Sequence, residues 1–65
     1  MKILTWQARI EKHLTLIQLA AMTGISKSTL NNIENGRTSP TLDQLDAIAK
    51  ALNVRITDLF ESERK

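Results

Sequence analysis

The sequence predicts an all-α domain of five short helices. Three observations carry that reading. Proline and glycine occur only at Gly24, Gly36 and Pro40. The helix-opening pattern S/T-x-x-Q occurs twice, at Thr15–Gln18 and at Thr41–Gln44. No stretch alternates apolar and polar residues with β-branched enrichment, the pattern of a half-buried strand.

The first helix, near 4–12, is the least marked: Trp6 and Ile10 share one face, and Thr5, Ala8 and Arg9 form a weak inner one. Helix 16–23 opens on a capping box, in which the Thr15 hydroxyl accepts from the Gln18 N–H while the Gln18 side chain reaches back. Leu14 and Leu19 bracket that start as a hydrophobic staple. The helix stops at Gly24, because its C-terminus needs a residue at positive φ. Ser26 caps helix 27–34, with Ile25 and Leu30 as its staple pair, and Asn35-Gly36 breaks it. Thr41 caps helix 42–52, where Leu42, Leu45, Ile48, Ala49 and Leu52 fall on one face. Asp43, Gln44, Asp46 and Lys50 fall outside that face. Asn53 tolerates the left-handed conformation and ends this helix. A fifth helix, 57–63, closes the chain. The expected core adds Leu19, Ile25, Leu30 and Ile33, with Val54, Ile56, Leu59 and Phe60 from the C-terminus.

With 65 residues the chain is expected to be one domain, 1–65, of modest stability. A domain this small buries only about 60% of the surface its unfolded chain exposes. The apolar share of 42% is ordinary for a globular domain and too high for a disordered tail. The absence of cysteine removes disulfides, thiolate metal sites and cysteine nucleophiles together. No apolar run approaches the roughly 20 residues of a membrane span, and no apolar segment of a signal peptide follows Met1–Trp6. A cytoplasmic protein without membrane association is the expectation. The lone His13, the scattered carboxylates and the missing glycine-rich loop offer neither a nucleophile–base pair nor a metal cluster. Catalysis, cofactors and metals are therefore not expected. The net charge of +2 is unevenly spread. Residues 1–40 carry five cations (Lys2, Arg9, Lys12, Lys27, Arg37) against Glu11 and Glu34, whereas residues 41–65 carry four against five carboxylates. The basic half suits a polyanion.

The window 16–35 is the most specific signal. Two helices cross closely at a tight turn only if three conditions hold: a small residue at the crossing, a glycine in the turn, and apolar residues that lock the angle. Ala20, Gly24, and Leu19, Ile25, Leu30 and Ile33 supply these. The run LAAMTGISKSTLNNIENGRTSPTLDQLDAIAKALNV resembles the phage-repressor and Cro-type (lambda-repressor-like, or XRE) helix-turn-helix family of DNA-binding transcriptional regulators. The resemblance covers about residues 9–60. It rests on Leu19-Ala20, Thr23-Gly24-Ile25-Ser26, Ile33-Glu34-Asn35-Gly36, Pro40 and the stretch Ala49-Lys50-Ala51-Leu52. It implies a compact fold of four or five helices, whose third helix enters the DNA major groove, and dimers acting on two-fold operators as repressors.

The residues themselves point the same way. Helix 27–34 exposes Lys27, Ser28, Asn31 and Asn32 opposite Leu30 and Ile33. Asn bonds adenine in bidentate fashion, Lys reaches guanine acceptors and Ser serves either, so these four are the expected base readers. The resemblance matches Lys27, Ser28 and Asn32 to base-reading positions; contact of Lys27 with phosphate alone stays open. Phosphate contacts are expected at the helix starts Thr15, Leu16 and Ser26, whose free N–H groups favour an anion. The resemblance adds Asn35, Arg37, Thr38 and Ser39 in the following loop. It also implies a partly buried ion pair between Arg9 and Glu34.

Two departures from the family stand out. Leu16 replaces a common Gln, so only its backbone N–H is left for phosphate. His13 stands where Gly is frequent and is read as a helix C-cap. A second class of function remains open: a protein-interaction module of the same fold, such as an antitoxin or adaptor, using Leu16, Ile17, Met22 and Trp6. Exposed apolar patches of that kind mark interaction sites. A homodimer on double-stranded DNA is expected, with half-sites about 34–36 Å apart. Leu59, Phe60 and the last helix are the first choice of dimer surface, and Trp6 the second.

Overall fold

A two-residue strand β1 (Lys2–Ile3) leads into α1 (Thr5–Glu11), α2 (Leu16–Thr23), α3 (Lys27–Glu34) and α4 (Leu42–Leu52). A 3-10 turn (Ile56–Leu59) and a second strand, β2 (Phe60–Glu61), follow. These elements come from a computed structural model, which describes residues 2–61.

Local chemistry explains the helix ends. The Gln18 and Gln44 N–H groups donate to the Thr15 and Thr41 hydroxyls at 3.1 Å each, and both glutamine side chains accept in return from the capping N–H. Thr29 N–H donates to Ser26 Oγ at 3.1 Å. Gly24 (φ +74°), Gly36 (+74°), Asn53 (+57°) and His13 (+59°) occupy the left-handed region. Such residues let the chain leave a helix while its last carbonyls find donors. His13 follows the last residues of α1 in this conformation, which a glycine adopts at less cost.

The core lies between α2, α3 and α4, with Leu19, Leu30, Ile33, Leu45, Ile48, Ala49, Leu52 and Leu59 buried. Ile25, Val54 and Ile56 pack on it half-buried. Leu42 departs from the periodic reading, being 75% exposed. It is the first residue of α4, flanked by exposed Thr41 and Asp43, so nothing covers that opening turn. Helical spacing places a residue on a face but not under a neighbour.

The chain's end differs more. The expected helix 57–63 is a 3-10 turn that passes into a strand; residues 62 and 63 of that span lie outside the described residues. Asp58 Oδ2 accepts from the Arg55 N–H at 3.0 Å, as at a helix start. Antiparallel pairing then takes over: Ile3 pairs with Phe60, Lys2 with Glu61, and Leu4 N–H donates to Leu59 O at 2.8 Å. Among the described residues the fold is therefore mostly helical, with four α-helices and a small β clip that pairs residues 2–3 with 60–61. Leu59 is fully buried within the subunit, which removes it from any dimer surface. Among the described residues no helix is long and apolar enough to cross a membrane.

Candidate nucleic-acid interface

The unit α2–turn–α3 is fixed from several sides. Gly24 N–H donates to Ala20 O at 2.9 Å. The Thr23 hydroxyl donates to Leu19 O at 2.8 Å and accepts from the Ile25 N–H at 3.2 Å. One threonine thus closes α2 and anchors the residue that precedes the α3 cap. That contribution was not drawn from the sequence, although Thr beside Gly at a helix end was visible there.

Arg9 ties α1 to the far end of α3. Its Nε donates to Glu34 Oε2 at 2.7 Å and its Nη2 to Glu34 Oε1 at 3.0 Å, a bidentate pair. Its Nη1 donates to Leu14 O at 2.8 Å, just before the α2 cap. The side chains are only 10% and 4% exposed. A fork of this geometry sets orientation as well as distance. It also turns the one carboxylate of α3 inward.

The outer face of α3 is consequently free of carboxylates. Lys27, Ser28 and Asn31 are exposed, and Asn32 is half-buried. Asn35 Nδ2 donates to Asn31 Oδ1 at 3.2 Å, extending the polar stripe past the helix end. Leu30 and Ile33 hold the opposite face in the core.

The flanking groups sit at the two ends of α3. At its start, Ser26 is the exposed cap; Thr15, the exposed cap of α2, and Leu16 line a groove together with Lys27 of α3, and the Leu16 side chain packs half-buried on the core. Ser26 Oγ also donates to Thr29 Oγ1 at 2.8 Å. After its end, Asn35, Arg37, Thr38 and Ser39 are all exposed, and the Arg37 N–H fastens the loop to Asn32 O at 2.9 Å. The groups suited to phosphate thus frame the groups suited to bases.

Charge pairing follows the same division. Asp46 and Lys50 pair at 3.0 Å and Arg55 and Asp58 at 3.7 Å, both in the C-terminal part. Among the described residues, Lys2, Lys12, Lys27 and Arg37 have no carboxylate partner. No group of three or more metal-ligating side chains occurs among the described residues.

Of the apolar residues expected at a protein contact, Leu16 and Ile17 share one groove and Met22 lies at another. Ile17 is 66% exposed and lines a groove with Ile10, Leu14 and Leu16, with Lys27 on the rim. Met22 borders a separate hollow against Ala47 and Ala51 of α4. Trp6 is half exposed on α1.

The chain matches the helix-turn-helix family over residues 7–59. It is 38% identical over 55 residues to the immunity repressor protein of Bacillus phage phi105, an alignment covering 85% of this chain and 38% of that protein. It is 39% identical over 56 residues to the HTH-type transcriptional regulator SlrR of Bacillus subtilis, covering 85% and 37% respectively. The chain therefore spans less than two fifths of these curated relatives. In structure it resembles the N-terminal DNA binding domain of SinR from Bacillus subtilis, with a TM-score of 0.81 and 29% identity. That match covers 94% of this chain and 90% of the other.

Proposed function

This chain belongs to the helix-turn-helix family, and we propose that it binds double-stranded DNA sequence-specifically as a transcriptional repressor, with α3 in the major groove. The observation that carries the reading is the carboxylate-free outer face of α3, framed at both ends by hydrogen-bond donors. An eight-residue helix is about 12 Å long, comparable to the width of the major groove. Donors at its two ends therefore suit the two sugar–phosphate walls while the stripe between them reads bases. Lys27, Ser28, Asn31 and Asn32 take the base-reading role. Thr15, the Leu16 N–H, Ser26, Asn35, Arg37, Thr38 and Ser39 take the phosphate contacts.

The names of the relatives support regulation rather than catalysis, and a DNA-binding role belongs in the cytoplasm. Residues 1–65 act as one helix-turn-helix domain. A single short helix reads too few base pairs for high specificity, so the protein works as a homodimer on half-sites about 34–36 Å apart.

Binding selection from a random duplex pool at about 0.15 M salt tests this reading. The expected product is a two-fold sequence, and Asn32→Ala is expected to relax preference at one position by about 1–3 kcal/mol. Recovery of no sequence at all would remove the reading. One observation favours a second function: the groove of Ile10, Leu14, Leu16 and Ile17 offers an apolar surface to a protein. A partner seated there, beside Lys27, would compete with DNA.

A further inference from the structure

We propose that the Lys2 ammonium contacts the DNA backbone, and that the β1–β2 clip exists in part to hold it there. The inference rests on the DNA-binding reading above and extends the phosphate-contacting surface beyond the helix-turn-helix unit. Lys2 lines a hollow of about 480 Å³ together with Asn35, Thr38 and Ser39, on a floor that includes Ile3 and Ile33. The polar side chains there are donors. Glu34 also borders the hollow, but its carboxylate is held by Arg9 and nearly sealed from solvent. Among the described residues no carboxylate lies within ion-pair distance of Lys2, although Glu61 stands opposite it across the clip.

Asn35 links the hollow to the reading stripe, because it lines the one and is hydrogen-bonded to Asn31 on the other. A phosphate in line with that stripe meets an ammonium, two hydroxyls and an amide. A lysine on an irregular exposed segment is ordinarily loose unless its backbone is tied down. Here pairing with Glu61 and Phe60, and the Leu4–Leu59 hydrogen bond, put Lys2 in register before DNA arrives. Lys12 provides the contrast. It also lacks an ion-pair partner, but it borders a different hollow, with Glu11 and Asp58 nearby.

The experiment is a salt titration of binding to a labelled mixed-sequence duplex, comparing the intact chain with Lys2→Gln, Lys2→Arg and Lys12→Gln. Each phosphate contact contributes about 0.9 to the slope of log affinity against log salt. Lys2→Gln is expected to lower the slope by about that amount. Over a fourfold rise in salt the unaltered protein then loses about 3.5-fold more affinity than the variant does. Lys2→Arg should keep the original slope, Lys12→Gln should leave it unchanged, and all variants should melt together. Equal effects of Lys2→Gln and Lys12→Gln, or no effect of Lys2→Gln, would overturn the inference while leaving DNA binding intact. Absence of binding by the unaltered protein would instead remove the underlying reading, and this one with it.

Discussion

α3 and α4 are built alike and finished differently. Each starts at a hydroxyl cap and buries one face, through Leu30 and Ile33 in one case and Leu45, Ile48, Ala49 and Leu52 in the other. Their outer faces diverge. α4 carries Asp43, Asp46 and Lys50, and pairs two of them with each other. α3 carries one lysine and short polar groups, and its only carboxylate is turned inward to Arg9. A scaffold helix satisfies its charges within the molecule, whereas a helix that meets a partner leaves its donors open.

The largest break in this contrast is Arg9→Ala. It leaves the Glu34 carboxylate buried without its cation, which costs about 3–5 kcal/mol of stability. Urea denaturation should show that loss. Lys50→Ala removes the exposed pair of α4 and should cost no more than about 0.5 kcal/mol. Similar losses in the two variants would erase the distinction between the pairs.

Ser28→Asp gives α3 the kind of charge that α4 wears. A carboxylate in the first turn favours the helix by about 0.3–1 kcal/mol, so thermal stability should hold or rise slightly. Affinity for duplex DNA should nevertheless fall at least about tenfold, or roughly 1.4 kcal/mol, through repulsion of phosphate. Opposite signs in the two measurements sharpen the comparison; DNA affinity unchanged by the new charge would defeat it.

An effect of opposite sign concerns α1, which contacts both helices. Thr5 is 1% exposed and its hydroxyl has no hydrogen-bond partner. Thr5→Val replaces the hydroxyl with a methyl of similar shape and should stabilise the protein by about 1 kcal/mol. A lower melting temperature would show that the hydroxyl is satisfied after all.

Most of the helical framework was readable from short-range signals. Thr15 with Gln18, Thr41 with Gln44, Gly24 and Asn53 each act within one helical turn, so neighbouring residues were enough. The ends were not readable in this way. Ile56–Leu59 begins like a helix, with Asp58 reaching back to Arg55, but it is only a 3-10 turn, and the strand that follows it, Phe60–Glu61, pairs with residues 2 and 3 far away in the sequence. The surroundings of Lys2 are hidden in the sequence for the same reason: a two-residue strand has no periodicity, and the residues that line its hollow beyond Ile3 lie more than thirty positions away. Leu42 had the right spacing, but only the assembled fold reveals that its turn overhangs the core. The stripe on α3 was legible as residue chemistry and the Arg9–Glu34 pair through the family resemblance, whereas the bidentate geometry of that pair and the pairing of Lys50 and Arg55 became visible only in three dimensions.

The β clip has a topological consequence. Paired strands lie about 5 Å apart, so the described chain ends almost where it begins. Such a fold is close to a closed ring with one cut, and the position of a cut of this kind is exchangeable. A circular permutant with residue 61 joined to residue 2 by a short linker, and opened in the exposed stretch 37–39, would keep α1 to α4 and the turn at Gly24. It would free only the loop beyond α3, separating the integrity of the scaffold from the integrity of one wall of its proposed DNA site.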